Sequence, residues 1–156
     1  MSLKQWIDIP PTWLALALVL AWAQSVYLPM GLSFGGAGGW PVADFLGGLL
    51  VGGGVVLMAL AFYEMRRQHT TVIPHQTASA LVQSGIFKRS RNPIYLGDAM
   101  VLTGMILYWD AVLSLPLIPI FVWWIERHFI LGEEDRMRRK FRADYARYCQ
   151  KTRRWI

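Results

Sequence analysis

Arg89-Ser90-Arg91-Asn92-Pro93-Ile94-Tyr95-Leu96-Gly97 forms a polar island between two hydrophobic halves of the chain, answered later by Gly132-Glu133-Glu134 and a basic, tyrosine-bearing tail. Asn92 is a good N-cap and Pro93 suits the first helical position, so the island reads as a helix entrance. The free N–H groups and the dipole of such an entrance favour a carboxylate or hydroxyl ligand, and Tyr95 sets a ring and a hydroxyl beside them. Arg89 and Arg91 suit a membrane edge, and Arg91 or Arg127 can also grip a carboxylate or phosphate through paired hydrogen bonds. Glu133 and Glu134 fit the start of a helix, or can hydrogen-bond a ribose or an amine. In this order the residues suggest a place where a water-borne cofactor meets a substrate embedded in lipid.

The elements that must position them are apolar. Of 156 residues 54% are hydrophobic and eight are Trp, and the mean hydropathy is +0.32, too apolar for an ordinary soluble domain. Runs of spanning length lie at about Thr12 to Leu28, Val42 to Tyr63, Ile94 to Tyr108 and Ala111 to Leu131, which predicts an all-α, polytopic membrane protein of four helices in one domain, residues 1–156. The connections Pro29 to Pro41 and Trp109-Asp110 carry no Lys or Arg, whereas Glu64 to Asn92 and everything after Arg127 are rich in them. Both termini are therefore expected in the cytoplasm, of an inner or plasma membrane if the source is bacterial, with a cofactor region at about 70–97 and 126–156. The same asymmetry explains the net charge of +6 better than a nucleic-acid surface does.

Lys4 and Ala21-Trp22-Ala23 lend the first run some signal-peptide character, but Asp8, Pro10 and Pro11 interrupt it, and cleavage is not expected. The single Cys149 excludes an intramolecular disulfide, and His69, His75 and His128 are too scattered for a zinc site. Gly47, Gly48, Gly52, Gly53 and Gly54 lie within the second run, where Gly48 and Gly52 make a G-x-x-x-G pair that lets another helix, or a second copy of the chain, approach closely.

Tyr108-Trp109-Asp110-Ala111 must turn the chain, giving a tight hairpin of the third and fourth runs, with Pro116 and Pro119 expected to bend the outer part of the fourth. Asp98 falls about one turn inside the third run, where the expected use of a carboxylate is a hydrogen bond tying the hairpin to a neighbour. Glu126 and Arg127, near the cytoplasmic end of the fourth, fit either an interfacial ion-pair network or a site. Beyond them Met137, Phe141, Tyr145 and Tyr148 recur at helical spacing among basic residues. That pattern predicts a cytoplasmic amphipathic helix that lies on anionic lipid, or folds back as a lid with Arg153, Arg154 and Trp155.

The order of these motifs is recognisable. From Thr70 to Trp155 the chain resembles the isoprenylcysteine carboxyl methyltransferase and phospholipid methyltransferase group of integral membrane enzymes. Thr71-Val72-Ile73-Pro74, Leu81-Val82-Gln83-Ser84-Gly85-Ile86-Phe87, Arg91-Asn92-Pro93-Ile94-Tyr95-Leu96-Gly97, Glu133-Glu134, and Phe141, Tyr145, Tyr148 and Arg154-Trp155 carry the likeness. The resemblance implies S-adenosylmethionine as methyl donor, leaving S-adenosylhomocysteine, held by Leu81, Val82, Gly85, Asn92, Pro93, Tyr95, Leu96, Gly97, Glu133, Glu134, Tyr145 and Tyr148, with Arg91, Arg127 and Glu126 in catalytic roles and no metal. Many members carry His where this chain has Asn92. Asn can cap and hydrogen-bond but cannot take a proton, so a mechanism needing an imidazole there is not available.

The acceptor is expected to be lipophilic and to enter from the bilayer. A carboxylate is nucleophilic at pH 7, whereas an ammonium must first lose a proton to a base such as Glu126 or Glu133; the sequence carries candidates for both. A membrane reductase using a nicotinamide cofactor, and a non-catalytic membrane adaptor anchored by its tail, are the rival classes.

Overall fold

The computed structural model describes residues 8–35, 41–70 and 78–156, and among these every regular element is a helix. They are α1 (Pro10–Tyr27), α2 (Pro41–Arg67), α3 (Pro93–Tyr108), α4 (Leu117–Ile125) and α5 (Leu131–Lys151). Short 3₁₀ turns lie at Gly85–Lys88 and Val112–Ser114, and a π-helical turn at Glu126–Ile130 links α4 to α5. The Thr71-Val72-Ile73-Pro74 motif falls outside the described residues.

Among the described residues two helices are long and apolar enough to cross a membrane: α2, and the run from Val112 to Lys151 that contains α4 and α5. α3, at 16 residues, reaches only about 24 Å against a hydrocarbon core of about 30 Å. α1 has 18 residues, but Pro10, Pro11, Thr12, Gln24 and Ser25 dilute its apolar stretch. Large side chains point away from the protein on α2, with Phe45 69%, Leu49 60% and Val56 58% exposed. Water penalises such a belt and lipid does not.

α2 and α3 pack antiparallel through two glycine pairs two turns apart, Gly47 against Gly104 and Gly54 against Gly97. A Cβ on Gly54 would sit 2.7 Å from the Gly97 carbonyl oxygen, and one on Gly104 would sit 2.5 Å from that of Gly47, so only glycine permits backbones this close. A Cβ on Gly48 or Gly52 would find nothing within 4 Å. The close approach therefore runs along a different stripe from the G-x-x-x-G pair, and that pair faces outward.

α1 lies across α3 through Ala17 and Ala21, which join Leu102, Ile106, Phe121, Ile125, Phe129 and Ile130 in the main core. Asp8 clasps its start to the π turn beyond α4, accepting from the Trp13 indole at 3.1 Å and lying 3.0 Å from His128 Nε2.

The outer connection is longer than a two-residue turn. Asp110 takes a left-handed φ of 53° and its carboxylate accepts the Phe34 N–H at 2.8 Å; the 3₁₀ turn follows, and α4 begins only at Leu117. Pro116 precedes α4 and Pro119 lies in its first turn, where a missing N–H leaves no helical bond unmade. These prolines start the helix instead of bending it. At the other end α5 continues α4 through the π turn, so the amphipathic helix is the inner extension of the fourth run and not a separate element. It breaks at Arg142, whose φ of 42° and ψ of −111° are not helical.

Candidate functional site

The break at Arg142 lets the last turns of α5 and the residues after it come back over the start of α3. Arg91 N–H donates to the Arg153 carbonyl at 3.0 Å, the Asn92 amide to the Arg154 carbonyl at 3.1 Å, and the Tyr148 hydroxyl to the Phe87 carbonyl at 2.6 Å. Thr152 and Cys149 offer carbonyls to Arg91 Nη1 at 3.2 and 3.4 Å. Asn92 takes the N-cap position of α3 without a side-chain cap bond of its own; its amide is spent on the tail.

An ion-pair chain lies beneath. Glu134 Oε1 accepts from Arg91 Nη2 at 3.0 Å and Arg154 Nε at 3.0 Å, and Oε2 from Arg154 Nη2 at 2.8 Å. Arg154 Nη1 reaches Glu126 at 2.7 Å, and the Trp155 indole donates to the other Glu126 oxygen at 3.2 Å. Burial works against a charged Glu134, but the hydrogen bonds from Arg154 and the charge of Arg91 outweigh it and hold its pKa below the ordinary glutamate range. Burial raises the phenols of Tyr145 and Tyr148, which keeps both as neutral donors.

Next to this chain lies a cavity of about 470 Å³, within the range of about 300–1,000 Å³ typical of small-molecule sites. Its polar wall is Arg91, Asn92, Tyr95, Asp98, Glu133, Glu134 and Arg136, with the Tyr95 hydroxyl donating to Glu133 at 2.8 Å. The opposite wall is apolar and comes from Pro10, Pro11 and Leu14 of α1 and Met58, Phe62 and Met65 of α2. Leu81, Val82, Pro93, Met137, Tyr145 and Tyr148 close the circuit.

Of the residues singled out from the sequence, Leu81, Val82, Arg91, Asn92, Pro93, Tyr95, Glu133, Glu134, Tyr145 and Tyr148 thus meet around one cavity. Gly85, Leu96, Gly97, Glu126 and Arg127 do not line it. Gly85 turns the chain at φ 56°, and a Cβ there would meet the Glu64 carboxylate at 2.7 Å; Glu64 is buried and accepts the Ser84 hydroxyl. Gly97 is spent on the packing against Gly54. Glu126 holds the tail through Arg154 and Trp155. Arg127 is exposed, with no hydrogen bond or ion pair among the described residues. Asp98 does not tie the hairpin to a neighbour: it is buried and faces the cavity without a hydrogen bond or ion pair among the described residues.

Hydrophobicity by itself does not single out Met58, Phe62 and Met65, although their i, i+4, i+7 spacing places them on one helical face. Arg136 is likewise hidden among the other basic residues of α5. Among the described residues no group of three or more His, Cys, Asp or Glu is placed to hold a metal ion.

Two helices long and apolar enough to cross a membrane, an outward apolar belt, and a cavity of small-molecule size with ionisable and apolar lining mark the class as a helical protein suited to a membrane. The family model described as phospholipid methyltransferase matches residues 42–144, the greater part of the chain, and the protein belongs to that family. It is thereby placed among the membrane methyltransferases. No curated protein and no solved structure matches the chain.

Proposed function

We propose that the protein is an S-adenosylmethionine-dependent methyltransferase acting at the cytoplasmic membrane face on a lipophilic acceptor, a phospholipid amine or a prenylcysteine-like carboxylate. The observation that carries this reading is the two-sided cavity, polar toward the tail and α5 and apolar toward α1 and α2. A water-borne donor and a lipid-borne acceptor need such a meeting place. In this reading α1 and α3 complete four spans with both termini in the cytoplasm, and the outward Gly48 and Gly52 are open to a second copy of the chain.

The wall suits the donor. Carboxylates at Glu133 and Glu134 and rings at Tyr95, Tyr145 and Tyr148 favour a cation over its neutral product, and Arg91 and Arg136 match an amino-acid carboxylate. Bound there, S-adenosylmethionine supplies an activated methyl group, and the protein's part is mainly alignment and exclusion of water. Tyr95 holds Glu133 in place, and the Arg91–Glu134–Arg154 chain holds the tail over the start of α3.

Isothermal titration of the detergent-purified protein with S-adenosylhomocysteine, with a nicotinamide nucleotide as control, tests this. Saturable binding of the first alone, weakened in Glu133→Gln, is expected. No binding of S-adenosylhomocysteine by folded protein would overturn the reading, in favour of a reductase if the control bound.

A further inference from the structure

Tyr95 and Asp98, three residues apart, share one face of α3, and both line the cavity. Their side chains are used differently. Tyr95 is bonded to Glu133, whereas Asp98, only 4% exposed, has no hydrogen bond or ion pair among the described residues. Arg91, which also lines the cavity, turns its Nη atoms to Glu134 and to the tail carbonyls of Cys149 and Thr152 and makes no ion pair with Asp98. An unpaired carboxylate at this depth is expensive and is retained where something binds it. The cavity says what: Leu14, Met58 and Phe62 are part of its lining, and apolar surroundings strengthen attraction for a cation and repulsion of an anion alike.

We propose that Asp98 selects the acceptor by charge, holding the ammonium of an amine-bearing lipid in the cavity and taking the proton that must leave its nitrogen. The proposal rests on the methyltransferase reading and names the residue that decides between the acceptor classes. One N–H bond of the ammonium breaks and one O–H bond forms on Asp98; the nitrogen keeps the electron pair and becomes a nucleophile, and Asp98 later returns the proton to water. Asn92 cannot accept that proton, and Glu133 is already engaged by Tyr95. A carboxylate acceptor needs no base and would meet like charge at Asp98.

The test uses the full-length protein in mixed micelles, with phosphatidylethanolamine as the amine probe and phosphatidylglycerol and S-farnesylcysteine as anionic ones. Retained lipid is read by native mass spectrometry, without the donor, beside S-adenosylhomocysteine titration. Wild-type protein is expected to retain the amine lipid preferentially, and Asp98→Asn to lose that preference by about tenfold, the worth of one charge-assisted hydrogen bond. Asp98→Glu, which keeps the charge, is expected to preserve it, which separates loss of charge from loss of fold. S-adenosylhomocysteine binding should persist in both variants, since the groups assigned to the donor are Tyr95, Glu133, Glu134, Tyr145 and Tyr148. Equal retention of the amine lipid by Asp98→Asn and wild type, or wild-type preference for the farnesylated carboxylate, would overturn the proposal. Lipid retention that behaves as expected while S-adenosylhomocysteine fails to bind would count against the methyltransferase reading alone.

Discussion

Arg154 grips both carboxylate oxygens of Glu134, at 3.0 and 2.8 Å, although the two are 20 positions apart in a chain that is helical over nearly all of that distance. In a straight α-helix they would stand about 30 Å apart. The left-handed break at Arg142 removes that separation, and the returning tail becomes a cover for the start of α3. The cover is a latch of charge pairs and backbone carbonyls, with Trp155 packed against the core beside them.

Arg154→Ala should therefore loosen the tail while the helices stay packed. The loss is expected to be about 2 kcal/mol, the scale of hydrogen bonds to a charged group. Limited proteolysis would show faster cutting after Arg142 with little change in helical circular dichroism. Unchanged protease resistance would mean that the Tyr148 and Asn92 bonds suffice.

Acid should release the same latch. Glu134 is held below the ordinary glutamate value of 4.5, so its contribution to stability is complete above that value and is lost as pH falls through the lower folded-state pKa. Thermal unfolding of wild type and Glu134→Gln should therefore differ most near neutral pH and converge in strong acid. A gap that stays constant with pH would contradict the assignment.

The two glycine pairs predict opposite outcomes for neighbouring substitutions. Gly54→Ala drives a methyl into the Gly97 carbonyl and should cost about 1–3 kcal/mol, as overpacking does. Gly48→Ala meets open space and should be neutral or stabilising by up to about 1 kcal/mol through helix propensity. Melting temperatures in one detergent would compare them.

Gly85→Ala should be costly for a separate reason. The residue sits at φ 56° with the buried Glu64 carboxylate where a Cβ would go, so strain of order 1–3 kcal/mol adds to displacement of the bond from Ser84. The segment leading into this turn is held at its start by Thr70 Oγ1, which accepts the Ser79 and Ala80 N–H groups at 3.1 and 3.4 Å. Amide hydrogen exchange should rise across residues 80–88.

Tyr95→Phe removes only the hydroxyl that fixes Glu133. Donor affinity is expected to fall about tenfold, the worth of one charge-assisted hydrogen bond, with the melting temperature little changed. Titration with S-adenosylhomocysteine measures it; an unaltered affinity would remove the Tyr95–Glu133 pair from the site.

Composition and periodicity alone determined that this chain is helical and apolar enough for a membrane, because hydrophobic runs of that length have few other uses. The motif order pointed to the family, and Arg91, Asn92, Tyr95, Glu133 and Glu134 were legible as polar residues at helix ends. What stayed hidden was which glycines touch, since Gly47 and Gly48 differ only in the face they occupy against a partner helix. The reversal at Arg142 was hidden too: nothing in a run of basic residues marks a left-handed backbone, which the tail's bonds to Arg91, Glu126 and Glu134 hold in place. The solitude of Asp98 was decided by tertiary structure in the same way, because whether a carboxylate is paired depends on side chains brought to it from other helices, and here those helices bring methionine, phenylalanine and leucine.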